Sequence, residues 1–239
     1  MKGLILAAGR GSRMGSHTDE KPKCFTKVGG ERLVDRQIHA MHEAGLSEIG
    51  IVTGYLCGLF EEFRFPTFQN TRWAETQMVQ SLRCAHEWLE SDTVIVSYSD
   101  IFYEPRAIAS LMNCDYDVAI TYDTNWYELW HRRFEDPLSD AETFSFDADG
   151  YLNEIGGKPN AVSDVQGQYM GLLRFTPHGW SVITDLLNSL SATEQDRIHM
   201  TGMIQKLLQQ HPRFVGTVPY SGKWGEVDTI DDASLYHDM

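Results

Sequence analysis

Residues 3–15, Gly3-Leu4-Ile5-Leu6-Ala7-Ala8-Gly9-Arg10-Gly11-Ser12-Arg13-Met14-Gly15, join a short apolar run to a basic segment rich in glycine. An apolar run of this length bounded by glycine has the pattern of a strand buried on both faces. Glycines directly after a strand let backbone N–H groups approach a phosphate and form an anion-binding nest. The position suits a triphosphate. A dinucleotide fingerprint requires a third glycine where Met14 stands, so an NAD-dependent dehydrogenase is disfavoured. The segment also lacks the Gly-Lys-Ser/Thr of a P-loop.

Working outward, Leu33, Val34, Ile38, Met41 and Ala44 recur at helical spacing and stop at Gly45, before Ile49, Ile51 and Val52 form a second strand. Met78, Leu82, Ala85, Trp88 and Leu89 mark one further helix, followed by a strand at Thr93–Ser97 that runs into Tyr98-Ser99-Asp100. A helix at 104–112 and a strand at 116–122 continue the alternation. This order predicts an α/β fold with a doubly wound, mostly parallel sheet, right-handed crossovers and ligands at the C-terminal ends of the strands. After about residue 123 the rhythm changes. Phe144 and Phe146, then Asp149-Gly150, then Leu152 and Ile155 read as a hairpin, so a single domain with a small inserted substrate lobe at about 123–175 is expected. Gln168–Phe175 reads as a return strand, 177–190 and 200–210 as helices, and Phe214–Pro219 as a last strand before a short terminal helix.

The chain has 239 residues, 42% hydrophobic and 23% charged, the balance of a soluble globular protein long enough to build one core without disulfides. Its formal net charge of -14 repels polyanions, which argues against nucleic-acid binding and against anionic membrane faces. The four cysteines form no CxxC pair, so reduced thiols are expected rather than a zinc or redox site. With no apolar stretch of about 20 residues and no signal-peptide core, membrane insertion is not expected and the protein reads as cytoplasmic. Association of an apolar patch with its copy in a homodimer is a further expectation. Against the acidic background, residues 8–27 hold Arg10, Arg13, Lys21, Lys23 and Lys27 against Asp19 and Glu20, while the remaining residues hold 15 cations and 32 acids. The cations are gathered beside the glycines.

Leu6-Ala7-Ala8-Gly9-Arg10-Gly11-Ser12-Arg13-Met14-Gly15, with Lys21-Pro22-Lys23 after it, resembles the signature of the sugar-phosphate nucleotidyltransferase superfamily, LAAGxGxRM followed by PK. The short length, the Ser99-Asp100 after the third strand and the late Glu226-Val227-Asp228 are most similar to the phosphocholine and phosphonate cytidylyltransferases. The resemblance implies that Leu6, Ala7, Ala8, Gly9, Gly11 and Ser12 hold the nucleotide and that Arg13 and Lys23 act in catalysis. Arg10 falls at a variable position and reads as a loop cation.

Asp100 ends its strand and should stand beside the glycine loop. Mg2+ takes one or two carboxylates together with substrate phosphates, so a strand-end Asp plus one distant acid suffices. The resemblance supplies Asp228 as that partner. If residues 226–228 are extended, Glu226 shares its face and is held as a second or indirect ligand, whereas Asp231 and Asp232 read as the start of the terminal helix. Gln77 and Ser81 fall where this superfamily reads the base, Gln77 replacing an asparagine by an amide one methylene longer. Lys158, in Gly156-Gly157-Lys158-Pro159, matches a segment whose lysine contacts the incoming phosphate; otherwise it is an exposed surface charge. Asp123, Trp126, Trp130 and Tyr169 could hold a cationic head group by cation–π attraction, although Trp126 and Trp130, four apart, also fit plain helix packing. His131, Arg132 and Arg133 are a candidate anion-binding run instead.

The expected activity is transfer of CMP from CTP to a phosphorylated or phosphonylated small molecule, such as phosphocholine or 2-aminoethylphosphonate, with release of pyrophosphate and with Mg2+ as cofactor. The alternatives are a sugar-1-phosphate nucleotidyltransferase using UTP, dTTP or GTP, and a catalytically silent nucleotide-sensing subunit.

Overall fold

The computed structural model describes residues 1–236 and places the run Lys2–Ala7 inside a seven-stranded sheet. Across the sheet the strands lie in the order Val215–Tyr220, Val118–Asp123, Gln168–Phe175, Val94–Tyr98, Lys2–Ala7, Ile49–Thr53 and Thr67–Gln69. All neighbours are parallel except Gln168–Phe175, which runs antiparallel to both strands beside it. The mixed α/β architecture with a mainly parallel sheet is therefore as the alternation predicts. The register sets Leu6 against Val52 on one side and Tyr98 on the other, so the glycine loop and Asp100 leave the sheet at the same edge. Because the return strand is reversed, its first residues, Gln168 and Tyr169, also lie at that edge, opposite Asp123 and Tyr122.

The expected helix over 78–89 is two helices, Met78–Arg83 and His86–Ser91. At the break the N–H groups of Cys84 and Ala85 bond the carbonyls three residues back, tightening the turn and ending the first helix. A helix at Ala192–Arg197 was not expected, though Ser191 and Glu194 form the reciprocal capping box that announces it. Residues 124–167 lie outside the main sheet and contain the helix Trp126–Arg133 and the antiparallel ribbon of Phe144–Phe146 with Leu152–Ile155. Gly150, at a φ of 83°, makes the tight turn in that ribbon. The four cysteines are free thiols. Among the described residues no helix is long and apolar enough to cross a membrane.

One connection is invisible in the linear pattern. Trp224–Glu226 pairs antiparallel with Ile101–Tyr103, and the Val227 N–H donates to the Asp100 carbonyl at 2.8 Å. This ribbon brings the late Glu-Val-Asp segment to the end of the Val94–Tyr98 strand.

Candidate active site

Leu6, Ala7 and Ala8 have buried side chains, so what they can offer a nucleotide is backbone. Gly9 and Ser12 are exposed at the loop's rim. Gly11 is held at a φ of 69°, and a Cβ there would lie 2.7 Å from the Cβ of Lys23. Glycine is thus required twice over, by the left-handed backbone and by the lysine stem packed against it. The chain then turns through Ser12–Thr18, burying Met14 in the position where a dinucleotide site would need glycine. Arg10 pairs with Asp19 at 2.7 Å on the exposed side of the loop.

Lys23 is only 7% exposed. Its Nζ donates to Asp100 Oδ2 at 2.7 Å and also to Asp228 Oδ1, while Arg13 Nη1 lies 2.7 Å from Asp228 Oδ2. Burial alone would lower the ammonium's pKa, but Asp100 and then Asp228 outweigh it and hold the pKa above its ordinary value. Glu226 completes the cluster: one oxygen each from Asp100, Glu226 and Asp228 lie within 4.8 Å of one another. Burial, and next the charge of Asp228, push the Glu226 carboxyl up to about 7. Asp100 Oδ1 is buried without a hydrogen-bond partner. An orphaned carboxylate oxygen beside two further acids is an all-oxygen donor set suited to a hard divalent cation.

Two residues hold this cluster in place, Gln37, which sequence reasoning did not single out, and Arg133, which it read for another role. Gln37, fully buried on the helix Leu33–Glu43, donates from Nε2 to the carbonyls of Tyr98 at 2.7 Å and Ile101 at 2.5 Å, clamping the turn that carries Asp100. Its signal was a polar side chain on the apolar face of that helix. Arg133, expected as part of an anion-binding run, instead turns inward with a side chain 1% exposed. Its Nη1 meets Glu226 at 2.8 Å and its Nε meets Asp232 at 2.9 Å. Asp232 in turn accepts from the backbone N–H groups of Asp228 and Thr229 at 3.0 and 2.9 Å, so this acid does start the terminal helix but also orients Asp228. Replacing Arg133 with leucine strands Glu226 and Asp232 in the interior, and urea unfolding should show a loss of about 3–5 kcal/mol. Lysine should not restore it, because one ammonium lacks the guanidinium's fork.

Beside the cluster opens a cavity of about 610 Å³. Arg13, Gln77, Trp130, Tyr169, Glu226 and Asp228 line it. Gln77 reaches the wall from the start of the helix Met78–Arg83, where its N–H is fixed by the Asp196 carbonyl at 2.8 Å.

Other expected site residues lie elsewhere. Ser81 is buried and accepts from Asn70 Nδ2 at 3.0 Å, which ties down the loop before the helix rather than presenting the hydroxyl to the cavity. Lys158 is exposed, and in its segment the cavity wall is made by Gly156. The expected pocket of Asp123 with Trp126 is corrected. Asp123 is 4% exposed and spends its carboxylate on Trp224 Nε1 at 2.8 Å and the Asn125 N–H at 2.7 Å. Trp126 donates its indole N–H to the Val165 carbonyl at 3.1 Å and stands edge-on to Trp130, 6.5 Å between centroids, as ordinary packing.

Over 98% of its length the chain is 31% identical to a CTP:phosphoglutamine cytidylyltransferase of Campylobacter jejuni, of which it covers 98%. It is 32% identical to a choline-phosphate cytidylyltransferase of Streptococcus pneumoniae over 43% of this chain and 46% of that protein. The fold matches an inositol-1-phosphate CTP transferase from T. maritima with a TM-score of 0.77, at 19% identity and covering 98% of this chain and 94% of the other. Residues 3–152, which carry the glycine loop, Lys23 and Asp100, match the MobA-like NTP transferase domain. With its loop, cation and carboxylates assembled at one sheet edge, the chain belongs to the MobA-like NTP transferase domain family and is a nucleotidyltransferase.

Proposed function

We propose that the protein is a cytidylyltransferase that moves CMP from CTP to a phosphate or phosphonate oxygen of a small acceptor and releases pyrophosphate. The observation that carries this reading is the charge cluster of Lys23, Arg13, Asp100 and Asp228 beside the glycine loop, of which Arg13 and Asp228 line the cavity. The full-length likeness to a CTP-dependent relative supports the choice of nucleotide.

The acceptor is already an anion at neutral pH, so the reaction needs neither a Ser-His-Asp nucleophile nor a strong base. An acceptor oxygen forms the new bond to the α-phosphorus, and the bond from that phosphorus to the bridging oxygen of pyrophosphate breaks. Charge repulsion is the obstacle. Lys23 and Arg13 supply fixed positive charge where negative charge develops at the α-phosphorus and on the leaving group. Asp100, Asp228 and Glu226 would hold Mg2+, which neutralises nucleotide phosphates when bound. Gln77 offers an amide for the base, and the glycine loop offers backbone N–H groups to the phosphates. Residues 124–167 contribute Asp140, Glu142 and Gly156 to the cavity wall, which supports reading the insertion as the substrate lobe.

A pyrophosphate-release assay with Mg2+ and each of CTP, UTP, GTP and dTTP, against phosphorylated amines, amino-acid derivatives and sugar phosphates, tests the proposal. CTP is expected to be the productive nucleotide. Turnover only with another nucleotide or only with a sugar 1-phosphate would transfer the protein to a sugar-nucleotide pathway; nucleotide binding without turnover would favour a sensing subunit.

A further inference from the structure

Two carboxylates of the cavity are not used by the chemistry above. Asp140 follows the turn Pro137–Ser139, and Glu142 lies just before the ribbon strand Phe144–Phe146. Both line the cavity. Asp140 is exposed and feels the positive charges of Arg133 and Arg13, whereas Glu142 is half-buried. Burial, followed by the neighbouring charge of Asp140, raises the pKa of Glu142.

A third acceptor points the same way. Gln168, 7% exposed, lines this cavity from the first residue of the reversed strand, and its Oε1 is buried with no partner. Buried acceptors in native proteins are nearly always satisfied, and a carboxylate taken out of water needs a donor or an opposite charge. The adjoining wall is aromatic. Tyr98 and Tyr169 meet edge to face with centroids 5.7 Å apart, made feasible by Gly171, where a Cβ would come within 2.8 Å of the Tyr98 ring. A phosphorylated acceptor brings negative charge at its reacting end, so acids elsewhere in its cavity are unfavourable unless another part of it is cationic.

We propose that Glu142 and Gln168, with Asp140 at the exposed rim, form a subsite for a primary ammonium group on the acceptor, and that they select aminated phosphates over uncharged and quaternary ones. A primary ammonium has N–H donors for both the Glu142 carboxylate and Gln168 Oε1. A trimethylammonium group has the charge but no donor, so it would leave Gln168 Oε1 unsatisfied. Aromatic walls alone attract both kinds of cation; the hydrogen-bond acceptors discriminate between them. This subsite rests on the cytidylyltransferase reading for its substrate, but its ligand chemistry comes from the cavity itself.

The test compares kcat/KM for 2-aminoethyl phosphate, ethyl phosphate and phosphocholine with CTP and Mg2+, in the wild type and in Glu142→Gln and Gln168→Leu. The wild type is expected to favour the primary amine over ethyl phosphate by about 100-fold, the value of a hydrogen bond to a charged group. In Glu142→Gln the preference should fall at least tenfold, through KM for the amine rather than through kcat. Gln168→Leu should narrow the gap between the amine and phosphocholine. Equal use of the three acceptors by the wild type, or a preference untouched by both variants, overturns the proposal. Calorimetric titration with 2-aminoethyl phosphate and ethyl phosphate, beside an α,β-methylene analogue of CTP, separates the two readings. If no acceptor releases pyrophosphate, the cytidylyltransferase reading fails, while tighter binding of the amine still supports the subsite and equal or undetectable binding of the pair overturns it.

Discussion

Replacing Lys23 with methionine should lower kcat by about 100- to 1,000-fold, the loss typical of removing one preorganised charge from a transition-state site. Methionine keeps most of the stem that packs against Gly11, so the loop retains its path while the charge disappears. The lysine is the only side chain that touches both Asp100 and Asp228 among the described residues. Its loss therefore has a second signature, in stability. Asp100 and Asp228 are then left facing each other with little solvent, a broken buried pair that costs about 3–5 kcal/mol. Without divalent cation the variant should melt well below the wild type. Added Mg2+ should raise its melting temperature by more than it raises that of the wild type, whose carboxylates already have a cation. Steady-state kinetics and thermal melts with and without Mg2+ check both parts; near-normal turnover would remove Lys23 from the mechanism.

Asp228→Asn should have a loss of the same order, for a different reason. This residue is the hinge of the cluster, taking Lys23 on one oxygen and Arg13 on the other while its N–H is held by Asp232. The amide retains shape but halves the acceptor capacity and removes the charge on which both cations and the metal depend. The variant should need a higher Mg2+ concentration for half-maximal rate and remain about 100-fold or more slower at saturation. Asp100→Asn should follow the same pattern. An unchanged Mg2+ dependence in both variants would show that the metal lies elsewhere.

Much of the frame was legible because it is local. The glycine-bounded run at residues 3–8, the helix that stops at Gly45 and the Asp149-Gly150 hairpin each depend on periodicity or turn chemistry that a short window contains. The cluster of Arg13, Lys23, Asp100 and Asp228 came from motif resemblance joined to strand-end placement, and the structure brings all four together. What failed was long-range or many-bodied. Nothing in Asp123-Thr124-Asn125-Trp126 shows that its acid will be taken by Trp224, 101 residues later, or that Trp126 will point at Val165. Arg133 read as the last base of an anion-binding run with His131 and Arg132, both of which are exposed; only the partners Glu226 and Asp232 explain why the third base turns inward. Gln37 and Gln168 were the opposite case, polar residues in apolar surroundings whose meaning appears once their neighbours are known.

The central claim is transfer of a cytidylyl group, and phosphorus-31 NMR of a single reaction reads it directly. With protein, CTP, Mg2+ and 2-aminoethyl phosphate in one tube, the account predicts that the acceptor's monophosphate resonance gives way to the coupled pair of a new diphosphate bridge. Pyrophosphate should appear in equal amount, and the Lys23→Met protein should leave the spectrum almost unchanged. Conversion of CTP to free CMP with the acceptor intact, or consumption of another nucleotide in place of CTP, would contradict it.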